Sequence, residues 1–288
     1  MTTDALTSTA QSHSGRSLQG RTILMSGGSR GIGLAIALRA ARDGANVAIM
    51  AKTGEPHPKL EGTVHTAAAA IEQAGGRALA IVGDVRNDDD VVGAVERTVK
   101  EFGGIDIVVN NASAIDLSST SEVSMKRYDL MHDINVRGTL MLSKFSIEAL
   151  KNSTAAHILT LSPPLNLDPK WAGSHLPYTM AKYGMSLTTL GLAEELRPDG
   201  IGVNSLWPCT LIDTAAIRNM PGGQKMVQAA RSADIVADAA HAILTRDPRS
   251  CTGNFYTDEQ ALGEEGVSDF TTYSLGAPED QLVRDMFL

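Results

Sequence analysis

A tyrosine and a lysine four positions apart, in Tyr178-Thr179-Met180-Ala181-Lys182, are the residues of this 288-residue chain with the sharpest chemical signature. On a helix, positions i and i+4 share a face. A phenol with a pKa of about 10 is a poor acid–base catalyst at neutral pH. An ammonium about 4 Å away, at an effective dielectric of about 20, favours the phenolate by on the order of 4 kcal/mol. That is about three pKa units before the opposing cost of desolvation. The pair can therefore bring a tyrosine to a working pH, where it exchanges a proton with a substrate oxygen. A surface Tyr–Lys pair on a helix has the same spacing, so the meaning of the pair depends on what precedes it.

What precedes it is a glycine-rich stretch, Ser26-Gly27-Gly28-Ser29-Arg30-Gly31-Ile32-Gly33, between the apolar run Ile23-Leu24-Met25 and a helical pattern reaching Arg42. Glycines there let the chain turn tightly and let backbone N–H groups approach a pyrophosphate, with the helix N-terminus facing the anion. Gly27, Ser29, Arg30, Gly31, Ile32 and Gly33 are accordingly the candidate phosphate site of a dinucleotide. A second apolar run, Val47 to Met50, ends in Ala51-Lys52. A carboxylate at that place would accept from the adenosine ribose and repel a 2′-phosphate. Lys52 stands there instead, and Arg30 adds a second cation. This favours NADP(H) over NAD; solvated surface charges are the alternative.

Both motifs need a scaffold that alternates strand and helix, and the chain supplies one. Further apolar runs at Ala78 to Val82, Ile105 to Val109, His157 to Leu161 and Ile201 to Leu206 read as strands, with a last one at Asn254 to Thr257. Helical patterns lie between them at Thr66 to Gln73, after an Asn87 cap, over Leu130 to Leu150 and over Tyr178 to Leu196. Such alternation predicts right-handed βαβ units. The expected fold is α/β, a single doubly wound (Rossmann) domain. Its parallel sheet of about seven strands carries helices on both faces. Ligands in such sheets bind outside the carboxyl ends of the strands, and the motifs fall there.

The spacing Gly-x-x-x-Gly-x-Gly, followed in phase by Tyr-x-x-x-Lys, resembles the short-chain dehydrogenase/reductase family. The resemblance implies hydride transfer between a nicotinamide coenzyme and a carbonyl or alcohol, with Tyr178 as the proton carrier. Lys182 lowers its pKa and holds the nicotinamide ribose. It also implies adenine contacts from Asp84-Val85 and a structural turn at Asn110-Asn111-Ala112-Ser113, with Asn111 at the coenzyme. Asn135, in Asp133-Ile134-Asn135-Val136-Arg137-Gly138, extends a proton relay from Lys182; a helix kink or a core hydrogen bond is the plainer reading. Thr210, in Trp207-Pro208-Cys209-Thr210, sits at the nicotinamide. Cys209 replaces the family's glycine there and reads as a packing residue rather than a nucleophile.

One position departs from the family. The carbonyl-polarising serine normally ends the fifth strand as the second of two small residues, and here Ser162-Pro163-Pro164 puts a proline in its place. Proline has neither a side-chain donor nor an N–H. Loss of an oxyanion donor commonly costs 10²–10³ in rate. Ser162 is the candidate replacement, with Ser174 behind it, and Ser162→Ala is expected to lower turnover at least tenfold. Ser-Pro-Pro together with Ala-Lys-Thr-x-x-Pro-His-Pro-Lys-Leu after the second strand resembles a branch of the family associated with lipid metabolism. That branch carries a sterol-carrier domain after its reductase domain, for which this chain ends too soon. Its final Asp285-Met286-Phe287-Leu288 is not a peroxisomal address.

Composition narrows the alternatives. The formal charge of −8, without long basic runs, argues against nucleic acid or anionic membrane as partner. No apolar run reaches a membrane span. Two cysteines, Cys209 and Cys251, cannot form a disulfide framework, and the scattered histidines suggest no metal site. The expected protein is cytoplasmic and acts on a small-molecule substrate. Residues 1–17 form a disordered tail, and 18–288 the NADP-binding domain. Leu165, Leu167, Trp171 and Leu176 line either an apolar, lipid- or steroid-like substrate site or a subunit contact. The family's long helices usually pair across subunits, implying a homo-oligomer, dimer or tetramer. Two other functions stay open: an NADP-binding regulatory or scaffold protein with decayed catalysis, and an enoyl or dienoyl thioester reductase.

Overall fold

Helices and strands alternate from the start of the computed structural model, which describes residues 16–56, 61–219 and 222–288. The strands are β1 (Thr22–Ser26), β2 (Asn46–Ala51), β3 (Arg77–Val82), β4 (Ile107–Asn110), β5 (His157–Thr160), β6 (Gly202–Trp207) and β7 (Phe255–Thr257). The first helices are α1 (Gly31–Arg42), α2 (Val64–Gln73), α3 (Asp88–Phe102), α4 (Met125–His132) and α5 (Gly138–Leu150). They are followed by α6 (Pro169–Ser174), α7 (Leu176–Glu195), α8 (Ala215–Arg218), α9 (Gly223–Gln228), α10 (Asp234–Leu244) and α11 (Asp258–Gly263).

All strand pairs are parallel, in the order β3-β2-β1-β4-β5-β6-β7. The order reverses between β1 and β4, where Ser26 pairs with Asn110. A crevice opens at such a switch point because the following chains leave in opposite directions. The central strands are buried along their whole length, as the near-continuous apolar runs require. One face of the sheet packs on α1 and α10 through Ile36, Ala40, Ile235 and Ala239. The other packs on α3, α5 and α7 through Val91, Leu142, Leu150 and Leu192.

Local signals set the helix ends. The Asn87 side chain accepts from the N–H groups of Asp89 and Asp90, and Asp88, Asp89 and Asp90 occupy the positive first turn of α3. The helix expected without a break over Leu130 to Leu150 is instead α4 and α5, joined by a π-helical turn at Asp133–Arg137. The Gly138 N–H reaches back five residues to the Asp133 carbonyl. That wider turn presents Asn135 to the loop after β4. The disordered tail expected over 1–17 lies outside the described residues as far as residue 15. Arg16 is described, and its guanidinium pairs with Glu265 at 2.9 Å.

A histidine in β5 makes the fold sensitive to acid. His157 is fully buried and donates from Nε2 to the Arg246 carbonyl at 3.0 Å. Burial pulls its pKa down to about 4. The unfolded chain takes up the proton near 6.5 and the folded one near 4, so stability present above pH 6.5 is lost as pH falls through 4. The expected loss is about 3 kcal/mol. Chemical denaturation at pH 7 and pH 4 checks it: His157→Gln, which keeps a donor but does not titrate, should lose less stability than the wild type.

Candidate active site

The glycine loop leaves β1 at the switch point, and neighbouring backbone dictates its shape. Gly27 has φ 74°, and a Cβ there would lie 2.9 Å from the Ala112 backbone. A Cβ on Gly33 would lie 2.5 Å from Asn111 Nδ2 and 2.7 Å from the Gly27 carbonyl. The Asn111 side chain donates to that carbonyl at 2.8 Å, tying the loop after β4 to the loop after β1. The Ser26 hydroxyl accepts from the N–H groups of Asn111 and Ala112 at 3.2 and 3.1 Å. The N-terminus of α1 has no side-chain cap and no acidic residue in its first turn. Its N–H groups are therefore left for an anion.

The residues expected at the adenosine end stand on neighbouring strands. Lys52, after β2, lies 3.6 Å from the Asp84 carboxylate after β3. Arg86 grips the same carboxylate with two nitrogens and holds its pKa below the ordinary value. Val85 is buried, and a Cβ on Gly138 would meet it at 3.0 Å. The Arg30 guanidinium donates to the carbonyls of Glu61 and Gly62, which fixes it against the segment after β2.

Where the nicotinamide is expected, the Thr210 hydroxyl is buried and has no hydrogen-bond partner among the described residues. A buried donor left unpaired is costly, and a ligand's amide would satisfy it. Together with the uncapped α1 and the closely approached glycines, it makes the residues present a fit for a dinucleotide. Asp258 accepts from the Cys209 N–H at 2.8 Å and fixes the turn after β6. Burial pushes the Cys209 thiol up to about 12, so it stays protonated.

Tyr178 and Lys182 lie one turn apart on α7, both buried. Lys182 Nζ donates to the Leu161 carbonyl at the end of β5 at 2.7 Å and lies 4.9 Å from the Trp207 ring centre. Burial brings the Lys182 pKa down to about 7. The phenol differs from expectation. Its pKa is raised, first by burial and then by the Asp285 carboxylate.

Two of the expected site side chains are committed to partners within the fold. The Asn135 amide does not hang free for a relay: it accepts from the Ala114 N–H at 2.8 Å and donates to the Ala114 carbonyl at 3.0 Å. The side chain pins the loop after β4, and the plainer reading of a helix irregularity holds as well. The Ser162 hydroxyl is fully buried and shares a hydrogen bond of 2.8 Å with Ser205, which in turn donates to Thr189. It belongs to a chain of hydroxyls between β5, β6 and α7. Ser162→Ala is therefore expected to lower stability by about 1 kcal/mol, read as a lower Tm, in place of the tenfold loss of turnover. Ser174 is exposed and bonds the Lys170 carbonyl of its own helix.

The apolar residues before Tyr178 divide. Trp171 packs toward Tyr178 through Phe287, whereas Leu167 and Leu176 face a surface groove of about 460 Å³ with His132, Met180 and Leu187. The sequence motifs do not point to Asp285 and Phe287, which lie over the Tyr–Lys pair; a short apolar end after a polar stretch is the only local signal. Burial raises the Asp285 pKa to about 7, with the Lys182 charge opposing.

A model of the family described as short chain dehydrogenase matches residues 21–223. Hydroxysteroid dehydrogenase-like protein 2 from Homo sapiens is 53% identical over 94% of this chain, and the protein of that name from Xenopus laevis is 54% identical over the same share. The chain spans 64% of the length of each. Among solved structures, a short chain dehydrogenase from Mycobacterium thermoresistibile is 53% identical, with a TM-score of 0.90, over 94% of this chain and 96% of that one. A short chain dehydrogenase from Burkholderia cenocepacia, in complex with NADP, is 31% identical, with a TM-score of 0.72, over 85% of this chain and 99% of that one.

Proposed function

Because this chain belongs to the short-chain dehydrogenase/reductase family, we propose that it is an NADP(H)-dependent oxidoreductase interconverting a carbonyl and an alcohol on an apolar substrate. The observation that carries this reading is the burial of Tyr178 beside Lys182 at the carboxyl edge of the sheet, among apolar and aromatic neighbours. The α1 N-terminus and the loop from Gly27 to Gly33 hold the pyrophosphate, and Asn111 keeps that loop in place. Asp84 and Val85 border the adenine, and Thr210 takes the carboxamide. When bound, the coenzyme supplies or receives the hydride.

The chain's own part is the proton. In reduction, the Tyr178 hydroxyl donates to the carbonyl oxygen as charge develops there. A phenol raised by burial is protonated at neutral pH and is the donor this direction needs. Lys182 binds the ribose and supplies a positive charge that stabilises the phenolate left behind. Asn135 serves by fixing the Ala114 segment beside the site. In a cytoplasm whose NADP pool is mostly reduced, reduction is the working direction. Leu140, Met180, Leu187 and Leu190 expose apolar surface on α5 and α7, which supports pairing of those helices in a homo-oligomer.

NADPH oxidation with a panel of aldehydes, ketones, steroids and acyl-CoA compounds tests the activity, the wild type against Tyr178→Phe. Turnover by neither, with NADPH bound, would leave a nucleotide-binding protein. Coenzyme choice has its own test. Lys52→Ala is expected to weaken NADPH about tenfold and NADH less than twofold, measured by equilibrium binding. Equal losses for both coenzymes would remove Lys52 from the 2′-phosphate.

A further inference from the structure

The segment after residue 282 lies on the reaction centre. The Leu211 N–H donates to the Val283 carbonyl, and the Asp285 N–H to the Cys209 carbonyl, so the segment runs antiparallel to the turn after β6. Beyond it, Trp207 Nε1 donates to the Met286 carbonyl at 2.9 Å and Asn166 Nδ2 to the Phe287 carbonyl at 3.1 Å. Phe287 has φ 75°, the sole left-handed non-glycine among the described residues. Strain of that kind persists where surrounding contacts hold it and concentrates at functional sites.

The Phe287 side chain is 1% exposed, although the segment carrying it lies at the surface, with Val283 42% exposed. Its ring centre lies 5.3 Å from that of Tyr183, 5.7 Å from Trp171, 5.9 Å from Trp207 and 6.3 Å from Tyr178. Tyr178 is left 5% exposed. A substrate oxygen must come within about 3 Å of the Tyr178 hydroxyl to receive its proton. The body of such a substrate needs room beside Tyr178, and the Phe287 ring fills room beside the Tyr178 ring. Asp285 brings a carboxylate whose charge acts on both Tyr178 and Lys182. An oxygen function and a ring two residues away thus reach the Tyr–Lys pair together, as they would in an aryl-alkyl carbonyl compound. The Trp171 indole N–H, buried without a partner among the described residues, adds a donor to the aromatic wall.

We propose that the pocket filled by Phe287 is the subsite for the apolar, ring-bearing body of the carbonyl substrate, and that the substrate enters by displacing Phe287. This rests on the carbonyl-reductase reading above. The segment is held by backbone bonds to the turn after β6 and to Ala229, and by single side-chain bonds from Asn166 and from Trp207 at the last residue of β6; none of these is a bond of the β-ladder, so it can open without unfolding the domain.

The chain has two tryptophans, Trp171 and Trp207, and Phe287 lies against both. Acrylamide quenching of their fluorescence therefore reads the position of Phe287. Quenching is expected to be at least twofold higher in Phe287→Ala than in the wild type, and the non-reacting pair of NADP+ and 4-phenylbutan-2-one, whose ring takes the vacated place, is expected to bring the alanine variant back to near the wild-type level. The ratio of kcat/KM for 4-phenylbutan-2-one to that for propanal, with NADPH, is expected to rise at least tenfold in Phe287→Ala and by less in Phe287→Leu. The leucine variant stands in if the alanine variant does not fold. Quenching unmoved by the ketone, or selectivity unmoved by either variant, overturns the proposal. If no protein reduces any carbonyl, the oxidoreductase reading fails and quenching alone decides: a fall on adding the ketone to Phe287→Ala keeps the subsite, and no fall removes it.

Discussion

Tyr178→Phe is expected to lower NADPH-dependent carbonyl reduction by about 10³-fold and to leave NADPH affinity within threefold. The substitution removes one oxygen and keeps the ring, so the contacts with Met131, Trp207 and Phe287 survive. Among the described residues the hydroxyl makes no hydrogen bond, so no buried partner is orphaned and Tm should hardly move. The loss would thus belong to proton transfer rather than to the fold or the coenzyme. The raised phenol also sets the pH dependence. Reduction uses the protonated form, which persists above the ordinary tyrosine range, so its rate should not fall from pH 6 to 9 through Tyr178. Alcohol oxidation needs the phenolate and should rise across the same interval. Reduction by the phenylalanine variant at more than a tenth of the wild-type rate would assign the proton to another donor.

What can be read from the residues follows the range of the interactions involved. The glycine loop, the Asn87 cap and the strand runs are local signals, and α1 runs over Gly31–Arg42 as its pattern predicts. The sheet order follows from alternation and the handedness of βαβ units. The π turn does not show, because a single inserted residue in a helix leaves the apolar spacing nearly intact while Ala114, 21 residues away, holds Asn135. The partners of Ser162 do not show either, for a similar reason. Its position in sequence matches the family's serine pair, but which face a hydroxyl takes at a strand end depends on Ser205 and Thr189, more than 25 residues downstream. Phe287 lies farther still from its neighbours: it meets Trp171 and Tyr178 across more than 100 residues, and no periodicity encodes that contact. Local chemistry is legible, and the direction of individual side chains is set by distant partners.

Gly33→Ala is expected to weaken NADPH binding about 100-fold, a larger loss than Lys52→Ala should produce. The reason is contact rather than backbone freedom, because Gly33 has no left-handed conformation. A methyl group there would overlap Asn111 Nδ2 at 2.5 Å and the Gly27 carbonyl at 2.7 Å. Relief requires α1 to draw away from the loop after β4, or Asn111 to leave Gly27. Either movement shifts the N–H groups that face the pyrophosphate. Losing alignment in two charge-assisted hydrogen bonds costs about 3 kcal/mol, which corresponds to that factor. Overpacking also lowers stability by about 1–3 kcal/mol, so Kd is measured at a temperature where the variant is fully folded. Asn111→Ala alone removes the tether and should weaken NADPH about tenfold. In the double variant the methyl group at 33 takes space that the Asn111 amide has left, so the two losses should fall short of their sum. Gly31→Ala provides the contrast: its φ of 56° introduces strain, but its nearest contact is Thr214 at 3.4 Å. NADPH bound within threefold of wild type by a folded Gly33→Ala would place the phosphates elsewhere, and with them the coenzyme whose position the Tyr178 chemistry requires.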